Sequence, residues 1–377
     1  MKVPFMYGLL AEKENFIDRF EERKQLKSFL GGGINVMLIS PRRWGKSSLV
    51  KAAMEELKEE DSQVRVCYLD ASKIHTVEEF YNRFATSVIG CASSTLEKRW
   101  ADFKQYVQAL IPGIRLRASA LDSVEVEMEI EFQHLKDNAE AVLQLPEQIA
   151  VDKEIHIIVC IDEFQQLATL PQWKHMEATM RSVWQQQHHA NYCLYGSKRH
   201  MMMDIFGNSS NPFYRFGQVI FMKKIEKEYW IPYIKQGFEK TGKSIGDDFA
   251  SRICDVVECH SWYVQQFSLF LWTNTDVAVT EDIFNRQLQV LIDTNADMFS
   301  NEIENLASSQ IAMLRAVAAG ETKLNAKEVV ERYHLGAPRT ITLNKKMLVN
   351  RDIIEQSGST YRFVDPVYEL WFKREYL

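Results

Sequence analysis

The sequence holds no C-x-x-C pair, no basic excess and no apolar run near the ~20 residues that a membrane helix needs. Each absence excludes something. Six cysteines, Cys67, Cys91, Cys160, Cys193, Cys254 and Cys259, are scattered, several in apolar strand-like settings. A zinc module is therefore excluded, and buried free thiols in a reducing cytoplasm are expected. The stretch "MKVPFMYGLLAEKENF" reaches Glu12 too soon for a secretory signal, so a cytoplasmic protein without a membrane partner is expected. With 45 basic against 51 acidic residues the net charge is −6, which offers no global field for nucleic acid. Any such contact has to be local. What is present is core material: 377 residues at 46% hydrophobic content bury a substantial interior and divide into two or three domains.

The segment "LISPRRWGKSSLV" carries Gly45, Lys46 and Ser47 as the ending of the phosphate-loop pattern G-x-x-x-x-G-K-[ST], with Ser40 where the opening glycine would stand. Before it, Ile34, Val36, Met37, Leu38 and Ile39 form a short apolar run behind Gly31-Gly32-Gly33, as a buried parallel strand does. After it, Leu49, Ala52, Ala53 and Leu57 recur at helical steps. Strand, tight loop and helix are the context that the motif requires. The loop Ser40, Pro41, Arg42, Arg43, Trp44, Gly45, Lys46, Ser47 and Ser48 is the candidate nucleotide cradle. Backbone N–H groups at the helix start meet phosphate, Lys46 reaches the outer phosphates and Ser47 ligates Mg²⁺, ahead of Ser48. Ser40 is tolerated at the strand exit if its φ stays negative.

A second motif answers the first. "EIHIIVCIDEFQQL" ends an apolar run in Asp162 and Glu163, two carboxylates at the mouth of a buried strand. In a parallel sheet this is where ligand-binding groups collect. Asp162 is the candidate Mg²⁺ ligand, directly or through water, and Glu163 the candidate base for an attacking water. Further strands are read at Val64 to Asp70, Tyr192 to Tyr195 and Gln218 to Met222, with a helix bearing Val77, Phe80, Phe84 and Val88 between. Strands separated by helices predict an α/β parallel sheet flanked by helices. Just past the strand ending in Tyr195, Ser197 is placed to sense a terminal phosphate.

An insertion at about residues 92–150 breaks the alternation. "IRLRASA" and "VEVEMEIEF" alternate with period two, and pairing Arg115 with Glu131 and Arg117 with Glu129 sets Leu116 opposite Ile130 around an odd loop near Leu121 to Ser123. A surface hairpin and a partner-binding or nucleic-acid-sensing edge both stay open; no chemistry is assigned to it. Near the end, "SQIAMLRAVAAG", with Ile311, Leu314 and Val317 inward and a stop at Gly320, "NAKEVVERYHL", capped by Asn325, and "APRTITLNKKMLVN" read as three helices. Two strands around Ser357-Gly358 then make a wing. Residues from Glu226 to about Asn301 are helical and amphipathic.

This order of parts resembles the archaeal-type ATPase family of P-loop NTPases, related to AAA+ and to the STAND signalling ATPases, over nearly the whole chain. "FIDRFEERKQL" is similar to the family's leading F-[IV]-x-R-E-x-E-x-x-x-L, with Phe20 at the first Glu. "YGSKRHMMM" resembles its G-S sensor stretch and "NPFYRF" its P-L-Y-G-R stretch. "CHSWYVQQ" resembles G-H-P-Y-Y-x-Q but carries Cys259 and Ser261 where glycine and proline would stand, and "YRFVDPVYELWF" resembles the family's terminal motif. The resemblance implies a P-loop ATPase domain over residues 1–225, a helical lid over 226–301 and a winged-helix domain over 302–377. It also implies ATP as the nucleotide, which the lack of a guanine-reading N-K-x-D segment favours. Arg215, at the family's Y-G-R position, is the first candidate for a charge-stabilising arginine, Arg199 the second, and the finger could come from a neighbouring copy in a homo-oligomer.

The expected function is an Mg-dependent ATPase that couples nucleotide state to conformational change. The alternative is a slow-turnover nucleotide-gated switch or a DNA-binding regulator acting through the winged helix. A small-molecule kinase is a weaker third reading, since no segment suggests an acceptor site. For DNA, Arg339, Lys345, Lys346, Arg351 and Arg362 are the local cations, and Glu321, Glu328, Glu331, Asp352, Glu355 and Asp365 nearly cancel them. DNA and a protein partner both stay open.

Overall fold

The computed structural model describes residues 3–9, 16–92, 114–120, 126–132 and 135–377. They form two compact units, Arg19–Lys223 and Met1–Asp18 with Lys224–Leu377. The first unit runs α1 (Phe20–Gly31), β1 (Val36–Ile39), α2 (Lys46–Glu60), β2 (Val64–Asp70), α3 (Val77–Ala92), β3 (Ile114–Ala120), β4 (Val126–Phe132), α4 (Leu135–Lys153), β5 (His156–Asp162), α5 (Trp173–Trp184), β6 (Ala190–Gly196), α6 (Arg199–Gly207) and β7 (Gln218–Phe221).

Five strands form one parallel sheet in the order β2-β5-β6-β1-β7. Every residue of β1 and β6 is buried, which is why these strands read as unbroken apolar runs rather than alternating ones. Successive side chains still point to opposite faces. Met37, Ile39, Val159 and Leu194 enter a core with Phe80 and Phe84 of α3, Val142 of α4 and Trp184 of α5. Val36 and Leu38, also fully buried, point to the other face, and α1 and α2 pack against the sheet and each other. Because all five strands are parallel, their C-terminal ends share one edge: Ile39 is in register with Gly196 and Phe221, and Asp70 with Asp162. That edge carries the site.

β3 and β4 pair antiparallel with Arg115 opposite Glu131, Leu116 opposite Ile130 and Arg117 opposite Glu129, the register that the period-two pattern predicts. The turn expected near Leu121 to Ser123 and the charged face of this hairpin lie outside the described residues. The expectation of six free thiols needs correction. α3 packs along β2 and brings Cys67 and Cys91 to a Cα separation of 5.4 Å, where they are disulfide-bonded. Cys160, Cys193, Cys254 and Cys259 are free.

The second unit contains α7 (Lys227–Glu239), α8 (Asp247–Val256), α9 (Ser261–Thr273), α10 (Glu281–Glu304), α11 (Ser308–Ala318), α12 (Lys327–Tyr333), α13 (Pro338–Asn350), β8 (Ile354–Ser357), β9 (Thr360–Phe363) and α14 (Pro366–Tyr376). Three helices followed by an antiparallel two-stranded wing make α11 to β9 a winged helix. Gly358 turns the wing at φ 61°. In α11, Leu314 and Val317 are buried as expected, while Ile311 is half-buried. Asn325 is not the cap of α12: Ala326 holds that position, and the Asn325 side chain instead lies 3.5 Å from Lys345 Nζ. Cys259, where the family pattern has glycine, has φ 55°, the left-handed region in which glycine carries no steric cost. No helix among the described residues is long and apolar enough to cross a membrane.

Candidate functional site

The cradle begins where β1 ends. Ser40 is buried, its N–H donates to the Gly196 carbonyl at 3.3 Å and its hydroxyl to the Pro41 carbonyl at 3.1 Å. It is not among the residues with positive φ, so a serine fits where the pattern has glycine. Arg43 and Gly45 make the turn with φ 65° and 86°. Gly45 then caps α2, accepting from the Leu49 N–H at 2.9 Å. The first turn of α2 contains no acidic residue, so no carboxylate of that turn competes with an anion for the partial positive charge of the helix start. Arg42 and Arg43 are exposed beside it, and Pro41 and Trp44 are half-buried.

The acidic strand end meets this loop directly. Lys46, 6% exposed, places Nζ 2.9 Å from Asp162 Oδ1 and 2.7 Å from Glu163 Oε1. The Ser47 hydroxyl donates to Asp162 Oδ2 at 2.6 Å, and the Glu163 N–H donates to Asp162 Oδ1 at 2.8 Å. Glu163 has φ 50°, a left-handed turn that redirects the chain as β5 ends. Its other oxygen, Oε2, accepts from the Ser197 hydroxyl at 2.8 Å and from Gln165 Nε2 at 2.5 Å. Burial pushes the Glu163 carboxyl up, but the Lys46 ammonium and the bonds from Lys46, Gln165 and Ser197 together hold it below the ordinary carboxylate value. Under Lys46 lies the Tyr195 ring, 5.5 Å from Nζ to centroid.

Lys46, Ser47, Asp162, Glu163 and Ser197 are thus one contiguous cluster. Ser48 is buried on α2, directly after Ser47. Arg199, exposed at the start of α6, lies 5.3 Å from the Phe221 ring, and Phe221 is the register partner of Ile39. Arg199 therefore stands on the edge that bears the loop. Arg215 does not. It is exposed at φ 54°, two residues before Gly217, whose backbone abuts Asn35 where β1 and β7 begin. The four-residue strands separate that end from the loop by roughly 13 Å at ~3.3 Å per residue.

Two supporting residues were not among the sequence candidates. Arg19, 3% exposed, donates through Nη2 to the Trp44 carbonyl at 3.4 Å and through Nη1 to Glu22 Oε1 at 3.1 Å and to the Lys223 carbonyl. It ties the start of α1 to the loop; its signal was the arginine of "FIDRF". Gln165, 2% exposed, reaches Glu163, and only its place two residues after the acid pair marked it.

The donor set suits Mg²⁺. Ser47 and Asp162 offer hard oxygens 2.6 Å apart, and no cluster of three or more His, Cys, Asp or Glu able to hold a metal exists among the described residues. An ion that keeps its waters and shares itself with phosphates needs only one or two protein oxygens.

Family and fold comparisons agree with this geometry. A family model described as an ATPase domain predominantly from Archaea matches residues 16–267, and one described as a "probable winged helix domain" matches residues 297–374. No curated protein matches the chain significantly. A Walker-type ATPase of Pyrococcus abyssi has the same fold at TM-score 0.68 and 18% identity, over 96% of this chain and 97% of that one. The ORC2 protein of Aeropyrum pernix, in its ADPNP–ADP complexes, is similar at TM-score 0.55 and 14% identity, over 96% of this chain and 97% of its own.

Proposed function

The chain belongs to the family of ATPase domains found predominantly in Archaea, and we propose that its loop and acid pair bind Mg-ATP and hydrolyse it, coupling nucleotide state to conformational change. The observation that carries the reading is Lys46 Nζ held 2.9 and 2.7 Å from Asp162 and Glu163. The lysine that would grip phosphate is paired with the two acids that would serve metal and water. Lys46 exchanges these partners for the outer phosphates, while backbone N–H groups from Arg43 to Ser48 cradle them. Ser47 and Asp162 hold Mg²⁺, which neutralises phosphate charge when bound. Released by Lys46, Glu163 accepts a proton from the attacking water. Arg199 in the same chain, or Arg215 from another copy, stabilises the developing charge.

Within the unit that ends at Leu377, residues 226–301 act as a lid and 302–377 as the winged-helix output. Glu163→Gln is the test of turnover: ATP affinity is retained and hydrolysis slows by about 10²-fold or more, as loss of a general base does. Asp162→Asn weakens the Mg²⁺ dependence instead. Equal hydrolysis by wild type and Glu163→Gln would remove Glu163 from the chemistry. The alternative reading, a slow nucleotide-gated switch or DNA regulator, draws on Arg339 and Lys346, exposed cations of α13 with no ion pair among the described residues.

A further inference from the structure

Glu163 does not hold its own orientation. Once Lys46 turns to phosphate, another group has to fix the Glu163 side chain, and Gln165 lies against it. Gln165 is buried, and its Nε2 donates to Glu163 Oε2 at 2.5 Å. A carboxylate only accepts, so the amide has its nitrogen toward Glu163 and its oxygen away. That oxygen, Oε1, is buried with no hydrogen-bond partner among the described residues.

The space for it is made by one residue. A Cβ on Gly196 would stand 1.9 Å from Gln165 Oε1 and 2.7 Å from Met202 Sδ, so only glycine at the end of β6 lets the amide lie where it does. The next residue, Ser197, donates to the same Glu163 Oε2 at 2.8 Å. Glycine and serine at that strand end thus serve one purpose, admitting one donor and supplying another. A buried carbonyl left unsatisfied lowers stability, so packing alone gives no reason for glutamine here.

Resting on the hydrolysis reading above, we propose that Gln165 is the positioning residue of Glu163, clamping Oε2 together with Ser197 so that Oε1 alone faces the attacking water. The water oxygen bonds to the γ-phosphorus, its proton passes to Oε1, and the bond to the β–γ bridging oxygen breaks with its electron pair leaving on ADP.

The test is a double-mutant cycle on the full chain, read by single-turnover hydrolysis and by binding of a fluorescent ATP analogue. Gln165→Leu lowers the hydrolysis rate by about 10²-fold, the cost of a misplaced catalytic group. Analogue affinity stays within about twofold, because the loop is untouched. In the Glu163→Gln background the same substitution costs less than about twofold more, since it acts only through Glu163. Gln165→Met, unbranched and similar in length, provides the same comparison should the leucine variant not fold. Wild-type rate in these variants, or an equal loss in both backgrounds, would overturn the proposal while leaving the hydrolysis reading intact. No hydrolysis by the wild type would overturn both.

Discussion

Glu177 sits on α5 with its carboxyl buried and Oε1 without a hydrogen-bond partner among the described residues. Burial, opposed by Lys174 and reinforced by Asp204, pushes it from the ordinary 4.5 up to about 7. A carboxyl raised in this way binds its proton more tightly folded than unfolded, so its contribution to stability is present at low pH and is lost as pH rises from 4.5 through about 7. Glu177→Gln, neutral throughout, should therefore gain thermal midpoint relative to wild type between pH 5 and pH 8; a pH-independent difference would contradict the assignment. Residues of this kind are hard to foresee, because an acid on an amphipathic helix looks solvated until the neighbouring elements cover it. Lys46, Ser47, Asp162 and Glu163 were legible for the opposite reason: the strand ends dictate where their backbones lie. Gln165 and Arg19 act through single folded contacts that no periodicity encodes.

At the level of elements, hydrophobic period and turn residues determined most of what could be read, whereas the cap expected at Asn325 falls at Ala326. The hairpin register followed from strict alternation, and the wing from Ser357-Gly358. The disulfide did not, since residues 24 apart in sequence meet only because α3 lies along β2. α14 shows what a cap does: Asp365 Oδ1 accepts from the Val367 and Tyr368 N–H groups at 2.9 and 3.0 Å, and Oδ2 from the Tyr263 hydroxyl at 2.6 Å. Asp365→Ala should cost about 2 kcal/mol or more by chemical denaturation, a cap loss of ~1 kcal/mol plus the abandoned Tyr263 donor. A loss below ~0.5 kcal/mol would show that solvent replaces both. Three of the five local cations of the winged helix are engaged by neighbouring groups. Arg362 is paired with Glu355, Arg351 donates to the Asn305 carbonyl, and Lys345 lies over the Tyr361 ring. Arg339 and Lys346 are left, on a helix face that also exposes Leu343 and Met347. If DNA is the partner, anisotropy with a labelled duplex should show affinity that falls steeply between about 50 and 200 mM salt and is lost in an Arg339→Glu, Lys346→Glu variant. No binding at low salt in any nucleotide state would make this face a protein contact.

For the whole molecule, the position of Arg215 sets the requirement. At the end of the sheet where the strands begin, it reaches no phosphate bound by its own loop, so a catalytic role demands a second copy of the chain. Arg215→Ala and Lys46→Ala proteins, each inactive alone, should then regain hydrolysis when mixed, and the wild-type rate per chain should rise with concentration; an arginine at a phosphate is worth ~10³-fold or more. Absence of complementation, with Arg215→Ala within about threefold of wild type, would leave Arg199 as the arginine of the site. All of this depends on one claim, that the cluster of Lys46, Ser47, Asp162 and Glu163 is where nucleotide binds. Isothermal titration of the full chain with Mg-ATP measures it most directly. Wild type should show saturable binding at one site per chain and Lys46→Ala none; equal binding by the two proteins would place the nucleotide elsewhere.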